Sequence, residues 1–405
     1  MGVLAHARFR WLAAARTTGY LGNAIAPIAL SFAVLDLTGS VSDLGIVVGA
    51  RSIANVALLL VGGVLADRLP RAVLLQGSSL AAAATAGLMA ASVLGGFASV
   101  PLLAGIGLVN GAVSAVALPA SYSITPETVP GDNLQQANAI LRIGTNIAAI
   151  AGASLGGLLA ATAGPGWAMV VIAAVFALEA GCYVKVGGKR VERARAHPLA
   201  ELRDGWTEFV SRRWVWVVVL QFLIVNAAMV GGQQVLGPAI ADDNFGRAAW
   251  GLALACQTAG AVAGGVFAAR WLPNRALLFG VVLTVCEAPP LLALGLAPHL
   301  AVLIPAMFLA GVAMEQFAIA WDVSLQENVP GDKLARVYSY DMIGSMVAVP
   351  VGQLAVGPIA AAAGTGPTLV GCATLVVLVT GAALTSRQVR ELRRRIPSEV
   401  GEPAP

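Results

Sequence analysis

The residues of this chain best suited to chemistry are ionisable side chains that interrupt long apolar runs. They carry both signs of charge: Asp36, Arg51, Arg142, Glu179, Glu287, Glu315, Asp322 and Asp341. A charged side chain at the centre of a bilayer costs about 2.5–3.5 kcal/mol or more, so each of these residues needs a reason to be there. A carboxylate in this setting can take up and release a proton, whereas an arginine can pair with a carboxylate or contact an anionic substrate.

Polar residues at helical spacing accompany some of these groups. In one run they form a single helix face: Glu315, Ile319, Asp322 and Gln326. A second run repeats that spacing: Asn110, Ser114, Ser121 and Thr125. Two further runs carry shorter sets: Tyr20, Asn23, Pro27, Ser31, Asn226 and Gln233. We predict that Glu315 titrates protons and that Asp322 is its partner or a gate residue. The alternatives are a structural Glu315, and an Asp322 that caps a helix or pairs with a basic residue.

The composition indicates that these groups lie in a membrane protein. The chain has 405 residues, of which 58% are hydrophobic and 11% charged, whereas a soluble domain carries about 25% charged residues. A soluble protein of this size, a disordered chain and a secreted disulfide scaffold are therefore excluded. A spanning helix needs about 20 apolar residues, and the sequence offers such runs at 17–37, 43–66, 72–94, 100–122, 134–161, 165–186, 214–239, 249–270, 275–296, 300–322, 335–362 and 366–386. We therefore predict an all-α polytopic membrane protein with twelve transmembrane helices.

The basic residues indicate how these helices are oriented. Apart from Arg51, Arg142 and Arg247, every lysine and arginine falls in a terminus or loop on one side of the predicted topology. Short loops rich in lysine and arginine face the cytoplasm. We therefore expect a multi-pass protein of the cell membrane, inner or plasma, with both termini in the cytoplasm.

Residue sets for other chemistry are missing from the sequence. The four cysteines and three histidines are scattered, which argues against a disulfide or a metal site. The sequence has no paired metal motif, nucleophile triad or phosphate-binding loop. We therefore expect no enzyme activity, no cofactor, no metal and no nucleic-acid partner. The basic tail fits attraction to anionic membrane lipids.

A segment of the first half of the chain returns about 200 residues later. Glu127-Thr-Val-Pro-Gly-Asp132-Asn-Leu134 recurs as Glu327-Asn-Val-Pro-Gly-Asp332-Lys-Leu334. Two shorter matches keep nearly the same offset: Asn23-Ala24 with Asn226-Ala227, and Gly63 and Arg68 with Gly265 and Arg270. A near-constant offset places six spans in each half with the same orientation. This arrangement is typical of transporters built from two pseudo-symmetric bundles with a site at the midplane between them.

The repeat also predicts domain boundaries. We expect an N-terminal six-helix bundle at 1–186, a cytoplasmic linker at 187–213, a C-terminal bundle at 214–386 and a basic tail at 387–405. Apolar residues at helical spacing in the linker predict an amphipathic helix at 197–213 on the inner leaflet, with a solvated linker as the alternative. Asp132 and Asp332 are expected to cap the helices that follow their turns.

The residues that close the second span carry a family resemblance. Gly63-Val-Leu-Ala-Asp67-Arg68-Leu-Pro-Arg71 resembles the cytoplasmic loop signature of the major facilitator superfamily, Gly-x-Leu-Ala-Asp-Arg-x-Gly-Arg-Arg. Here Pro70 replaces the second glycine and Ala72 the last basic residue. The resemblance implies a cytoplasmic latch in which the aspartate faces the N-terminus of span eleven, and we place Asp341 in it with Arg68 or Arg71.

A second resemblance lies in span five. Gly144 followed by Gly152-Ala-Ser-Leu-Gly156-Gly157 looks like the antiporter signature of the superfamily's drug exporters, with Ala153 in place of a proline. Close helix packing by small residues is the alternative explanation. Other stretches resemble the branch of macrolide-efflux and enterobactin-exporter-like permeases: Asp36-Leu-Thr-Gly-Ser40, Ala50-Arg51 and Trp321-Asp322.

The resemblance implies a function and a site. Spans one, four, seven and ten line the central cavity of this fold, which is where the polar stripes fall. Asp36 and Arg51 are hypothesised to form an outer-gate pair, whereas Glu179 and Glu287 lie in spans that are peripheral in the family. We expect a monomeric secondary active transporter for proton-coupled efflux of small amphipathic compounds, such as drugs or macrolide-like or siderophore-like metabolites, by alternating access. The alternatives are an uptake carrier and a lipid flippase; the expected partners are the small-molecule substrate, protons and membrane lipids.

Overall fold

The computed structural model describes residues 3–68, 70–130, 133–187, 210–271, 273–329 and 331–394. These residues contain twelve helices long and apolar enough to cross a membrane. In chain order they are α1 Ala7–Thr38, α2 Val41–Arg68, α3 Arg71–Leu94, α4 Val100–Ser123, α5 Leu134–Thr162, α6 Pro165–Val186, α7 Arg213–Asn244, α8 Arg247–Arg270, α9 Ala276–Leu296, α10 Leu300–Asn328, α11 Gly331–Ala363 and α12 Thr365–Thr385. A short helix, α13 Arg387–Glu391, follows. The prediction of an all-α protein with twelve spans is confirmed.

Two predicted segments lie partly outside the described residues or begin at a different residue. The predicted amphipathic helix at 197–213 lies outside the described residues as far as position 209, and Asp132 lies outside them as well. The first helix begins at Ala7, ten residues before the predicted start of the first span. Arginine is a good helix former, so the basic residues at its start do not end the helix. Arg8 fixes this extension, because its guanidinium donates hydrogen bonds to the carbonyls of Val186 and Gly187 at 2.7 and 2.8 Å.

The internal repeat is visible as repeated packing. Helix α1 packs on α5 and α6, and α7 packs on α11 and α12. A Cβ atom added to Gly111 of α4 would overlap the Arg51 carbonyl of α2, and one added to Gly311 of α10 would overlap the Gln257 carbonyl of α8. Gly164 and Gly364, 200 residues apart, precede α6 and α12 with φ of 88° and 90°. Only glycine adopts that conformation without strain, so the repeat preserves both turns and close helix contacts.

The buried apolar side chains show how the two halves meet. At the end of the bundle where α1 joins α2 and α7 joins α8, one continuous core contains residues from both halves, including Phe32 and Trp250. At the other end, the first half has its own core around Phe9, and the second half has another around Trp214. We call these the closed end and the open end. Across the closed end, α5 packs on α8 and α2 packs on α11.

Two spans of the second half depart from regular α-helix. Residues Val230–Leu236 of α7 form a π-helical segment, and Thr284–Glu287 of α9 form a 3-10 turn that ends two residues before Pro289. A Cβ atom on Gly231 would lie 2.9 Å from the Gly352 carbonyl of α11. The π segment therefore lies at a contact between α7 and α11.

Candidate functional site

A cavity of about 460 Å³ lies almost wholly in the first half. Its walls come from α1, α2, α3, α4 and α6, and Met346 and Val349 of α11 complete it from the second half. Its polar lining residues are Arg16, Tyr20, Asn23, Arg51, Ser52, Asn55, Ser78, Ser79, Asn110, Ser114, Ser121, Glu179 and Tyr183. This volume is in the range of small-molecule sites, which is about 300–1,000 Å³. The cavity therefore combines apolar wall surface with polar groups contributed by five helices of the first half.

One wall of the cavity pairs α1 with α6. Glu179 of α6 approaches Gly19 of α1 so closely that any side chain at position 19 would overlap its carboxylate. Arg16, one turn earlier on α1, donates through Nη1 to the Ser121 carbonyl at 2.8 Å and lies near enough to Glu179 to interact with it electrostatically. Its Nε is buried and has no hydrogen-bond partner among the described residues. Glycine at position 19 thus makes room for a carboxylate beside an arginine.

The opposite wall is built by α2 and α4. Arg51 Nε donates to Asn110 Oδ1 at 2.9 Å, and Asn110 Nδ2 donates to Thr85 Oγ1 at 2.9 Å. Asn55, one turn after Arg51, donates to the Gly111 carbonyl at 3.3 Å. This chain of hydrogen bonds fixes the orientation of the Arg51 guanidinium on the cavity wall. Among the described residues, no carboxylate forms a salt bridge with it.

An ion pair joins the two halves outside this cavity. Arg142 Nη2 of α5 contacts Glu315 Oε1 of α10. The Glu315 side chain is 22% exposed and that of Arg142 is 69% exposed. Gly264 and Gly265 of α8 pack on Glu315, whose Cβ would lie 3.2 Å from a Cβ added at position 264. The Glu315 carboxylate is therefore positioned by α8 of the second half and forms its ion pair with the first half.

The remaining acids of α10 and α11 bind within the second half. Tyr338 Oη donates to Asp322 Oδ1 at 3.0 Å, and Gln326 contacts the same hydroxyl at 3.5 Å. Trp321 Nε1 donates to Asp341 Oδ2 at 3.0 Å. Asp341 therefore contacts α10 of its own half, whereas the sequence had suggested a latch with the first half. Asp322 lies about 10 Å along the helix from Glu315, at 1.5 Å per residue, which explains why the two acids have different partners.

A charge cluster joins the halves at the closed end. Arg247 at the start of α8 donates to Asp242 at 2.8 Å and, through Nη1, to Asp36 Oδ2 of α1 at 2.9 Å. Its guanidinium also lies 4.8 Å from the centre of the Phe32 ring. The hypothesis that Asp36 pairs with Arg51 is therefore wrong. Arg51 is ten residues into α2, about 15 Å deeper than the helix start, so it cannot reach an acid in the last turn of α1.

The glycines of α5 lie at helix contacts. Those at the first three positions face α1: Gly144, Gly152 and Gly156. A Cβ added to Gly152 would lie 2.7 Å from the Leu21 carbonyl. Gly157 faces the second half instead, where its added Cβ would lie 2.8 Å from Gly251 Cα of α8. The glycine pattern thus serves packing within the first half and, at Gly157, packing between the halves.

Comparison with known proteins agrees with this geometry. The family model of the Major Facilitator Superfamily matches residues 12–353. The chain belongs to the major facilitator superfamily. It is 28% identical to the multidrug efflux pump Tap of Mycolicibacterium fortuitum, over 94% of this chain and 96% of that protein. It is 27% identical to the enterobactin exporter EntS of Escherichia coli, over 92% of each chain.

Solved structures share the superfamily fold at low identity. The nucleoside transporter NupG superposes with a TM-score of 0.76 at 13% identity, over 93% of this chain and 98% of that one. A bacterial homologue of the human lysosomal transporter Spinster, inward-facing and unoccupied, superposes with a TM-score of 0.73 at 15% identity, over 96% and 98%. The chain is therefore a multi-pass membrane transporter of this superfamily, and a transporter of this kind carries a small-molecule substrate.

The structure describes only part of the superfamily loop signature. Helix α2 runs through Gly63 and Asp67 to Arg68, but the side chains of these residues lie outside the described part. Arg71, the first residue of α3, pairs with Glu127 at 2.6 Å. That contact ties α3 to the turn after α4 within the first half.

The predicted lining residues of this transporter divide into two groups. Those of the first half that line the cavity are Tyr20, Asn23, Asn110, Ser114 and Ser121. The others do not line it: Ser31, Asn226, Gln233 and Gln326. Ser31 donates to the Pro27 carbonyl of its own helix, and Gln233 is 9% exposed and lies 3.6 Å from the Met307 sulfur.

Sequence reasoning missed part of the cavity lining. Arg16 was counted as a flank of the first span, although α1 starts nine residues earlier, and Glu179 was assigned to the periphery. The available signal was their opposite charge in two spans that pack on each other. Glu287, also expected to be peripheral, is 4% exposed in α9 and does not line this cavity.

Proposed function

We propose that this transporter is a proton-coupled exporter of small amphipathic compounds that works by alternating access. The observation that carries the proposal is the contact between Arg142 and Glu315, which joins the two halves through a titratable carboxylate. Protonation of Glu315 removes its charge and with it the attraction to Arg142. Proton binding is thereby linked to the relative position of the halves, which is the linkage that a proton-coupled carrier requires.

The strength of this pair suits a contact that breaks in every cycle. Because the Arg142 side chain is 69% exposed, the pair contributes about 1 kcal/mol or less. A buried pair would impose a desolvation penalty on each opening and closing. A weak pair instead biases the equilibrium between conformers without trapping one of them.

The open end faces the side from which an exporter loads its substrate. Apart from Arg51, Arg142 and Arg247, the basic residues of the described ranges lie at this end, and the positive-inside rule predicts that such an end faces the cytoplasm. The conformer with separate cores at the open end then exposes the cavity to the cytoplasm, from which an exporter takes its substrate. The relatives named as a multidrug efflux pump and an enterobactin exporter favour export over import.

The cycle follows from these elements. In the inward-open conformer, Glu315 is deprotonated and paired with Arg142 while substrate enters the cavity. The halves then rock, the closed end opens, substrate leaves, and Glu315 takes a proton from outside. The protonated carrier returns, and re-formation of the ion pair releases the proton into the cytoplasm. One proton enters for each substrate that leaves.

The test combines a cellular and a reconstituted measurement. A host without its own pumps, expressing the intact chain, is screened against a panel that includes a macrolide and a catecholate siderophore. Each compound to which resistance rises is then added to liposomes containing purified protein, a trapped pH-sensitive dye and an imposed pH gradient. We expect substrate-dependent proton flux, abolished by Glu315→Gln. Glu391→Gln is the matched control, because the Glu391 side chain is 56% exposed and pairs on the surface with Arg387.

Three results would contradict the proposal. Substrate-dependent flux that is unchanged in Glu315→Gln would remove this carboxylate from the coupling mechanism. Accumulation of a compound in the host, with counterflow in right-side-out vesicles, would instead favour the alternative of an uptake carrier. Movement of labelled lipid between leaflets, without flux of any soluble compound, would favour a flippase.

A further inference from the structure

Arg51 is a charged residue within the membrane-spanning helix α2. It lies ten residues into α2 on the cavity wall, and no carboxylate among the described residues forms a salt bridge with it. Its described side-chain hydrogen bond uses Nε, which donates to Asn110. An unpaired guanidinium at this depth is costly, and its terminal nitrogens form a planar fork suited to a carboxylate or a similar anion.

The rest of the cavity does not supply the missing charge. The lining carries two arginines, Arg16 and Arg51, against the single carboxylate of Glu179. Glu179 lies on the wall of α1 and α6, close to Arg16, whereas Arg51 lies on the wall of α2 and α4. The positive excess therefore remains beside Asn55 and Asn110, whose amides can add hydrogen bonds to a bound anion.

Apolar surface adjoins this charged wall. Val56, Val113, Met346 and Val349 line the same cavity. An apolar groove of about 390 Å³ between α2, α3 and α4 shares Ser78 and Val113 with the cavity. A ligand that fits both features has an acidic group at one end and an apolar body at the other.

We propose that Arg51 binds the anionic group of the transported compound, and that the substrates are therefore small amphipathic acids. The anion is a carboxylate or a comparably acidic phenol or enol, oriented by Arg51 with Asn55 and Asn110. Bound substrate supplies the counter-charge that the cavity lacks. This inference rests on the proposed transport function and names the substrate class of its cavity.

The test measures binding without any ion gradient. Purified protein in nanodiscs is titrated calorimetrically with three probes that share one ring system and differ in charge: 1-naphthoate, 1-naphthalenemethanol and 1-naphthylmethylammonium. We expect 1-naphthoate to bind at least about tenfold more tightly than the alcohol, as one charge-assisted hydrogen-bond pair provides. Arg51→Gln should remove this preference, and Arg51→Lys should retain part of it. The matched control is Arg387→Gln, which changes an arginine that is 82% exposed on α13.

Three results would overturn the inference. They are equal binding of the acid and the alcohol by the intact protein, no binding of any probe, and a full preference for the acid in Arg51→Gln. Arg51→Lys controls for misfolding, because a folded chain with a cation at position 51 must still bind the acid more tightly than the alcohol. Since no pH gradient is present, loss of proton coupling in the liposome assay leaves this result unaffected. A carrier that prefers the acid but moves no protons would retain the substrate class and lose the coupling mechanism.

Discussion

The contact between Gly157 and Gly251 makes the closed end sensitive to a single side chain. A Cβ added to Gly157 would lie 2.6 Å from the Arg247 carbonyl oxygen and 2.8 Å from Gly251 Cα. Non-bonded carbon atoms prefer separations of about 3.5–4.0 Å, so Gly157→Val must move α5 and α8 apart by about 1 Å. We therefore expect this variant to destabilise the closed end and to favour conformers in which that end is open.

The size of the effect follows from the cost of overpacking. Extra methyl groups in a well-packed contact cost about 1–3 kcal/mol. Because 1.4 kcal/mol corresponds to a tenfold change in an equilibrium constant, the ratio of closed to open conformers should fall by about 5- to 150-fold. Gly251→Val should have a similar effect, because it fills the same contact from the opposite helix.

The measurement is a distance distribution between two spin labels at the closed end. Phe97 of the α3–α4 loop and His299 of the α9–α10 loop are exposed, one in each half, and both can be replaced by labelled cysteine after the native cysteines are removed. Double electron–electron resonance should show a longer distance gaining population in Gly157→Val. Gly181→Val is the matched control, since nothing lies within 4 Å of a Cβ added there. An unchanged distribution in Gly157→Val would refute the reasoning.

Two further predictions concern the Arg247 cluster at the closed end and the contact between Gly19 and Glu179 on the cavity wall. Arg247→Gln removes the contacts to Asp36 and Asp242. The same spin-label pair should therefore show a larger population in which the closed end has opened, by about tenfold or less because the ion pairs are partly exposed. Distances that do not respond to this change would show that the apolar core alone holds the end closed. Gly19→Ala places a methyl group against the Glu179 carboxylate and should lower the melting temperature, by a ΔΔG of about 1–3 kcal/mol. Gly19→Ala combined with Glu179→Ala should recover much of that loss, and a melting temperature unchanged by Gly19→Ala would show that the carboxylate moves aside.

The number and type of the helices could be predicted because a bilayer imposes a simple rule. Every spanning helix must be apolar over about 20 residues, and the apolar runs of this chain satisfy it twelve times. Matched packing at Gly111 and Gly311 keeps the 200-residue offset that the repeat of the Glu127 segment shows in the sequence. Each of these predictions uses only the residues of a single segment, so it can be made from the sequence alone.

The positions of the tryptophans show where such rules stop. Tryptophans near the ends of membrane spans favour the membrane interface, and Trp11, Trp167 and Trp271 are 42–56% exposed. Trp250 and Trp214, however, are 2% and 5% exposed. Trp250 lies against Gly237, where a Cβ would overlap its ring. The position of a residue along a helix can be predicted from the sequence. The burial of its side chain depends on which helix packs against it.

The candidate site was predicted least well for the same reason. Asn110 and Ser114 were identified because they form a stripe on one helix, whereas Glu179 is a single residue whose role depends on Gly19 of another helix. The pairing of Arg51 with Asp36 was wrong because Arg51 lies ten residues into α2, whereas Asp36 lies in the last turn of α1. Contacts between helices that are distant in sequence decide these cases.

The repeat itself explains why the cavity lies in the first half. Glu179 is fifteen residues after the glycine that precedes α6, and the residue at the same distance into α12 is Val379. The carbonyl that matches that of Arg51 belongs to the uncharged Gln257. The second half thus keeps the backbone contacts and lacks these charges, and its open end is filled by stacked aromatic rings, with the Phe222 and Phe317 centres 4.8 Å apart. Under the proposed function, the first half therefore holds the substrate, while the second half contributes the titrating carboxylate that couples its movement to protons.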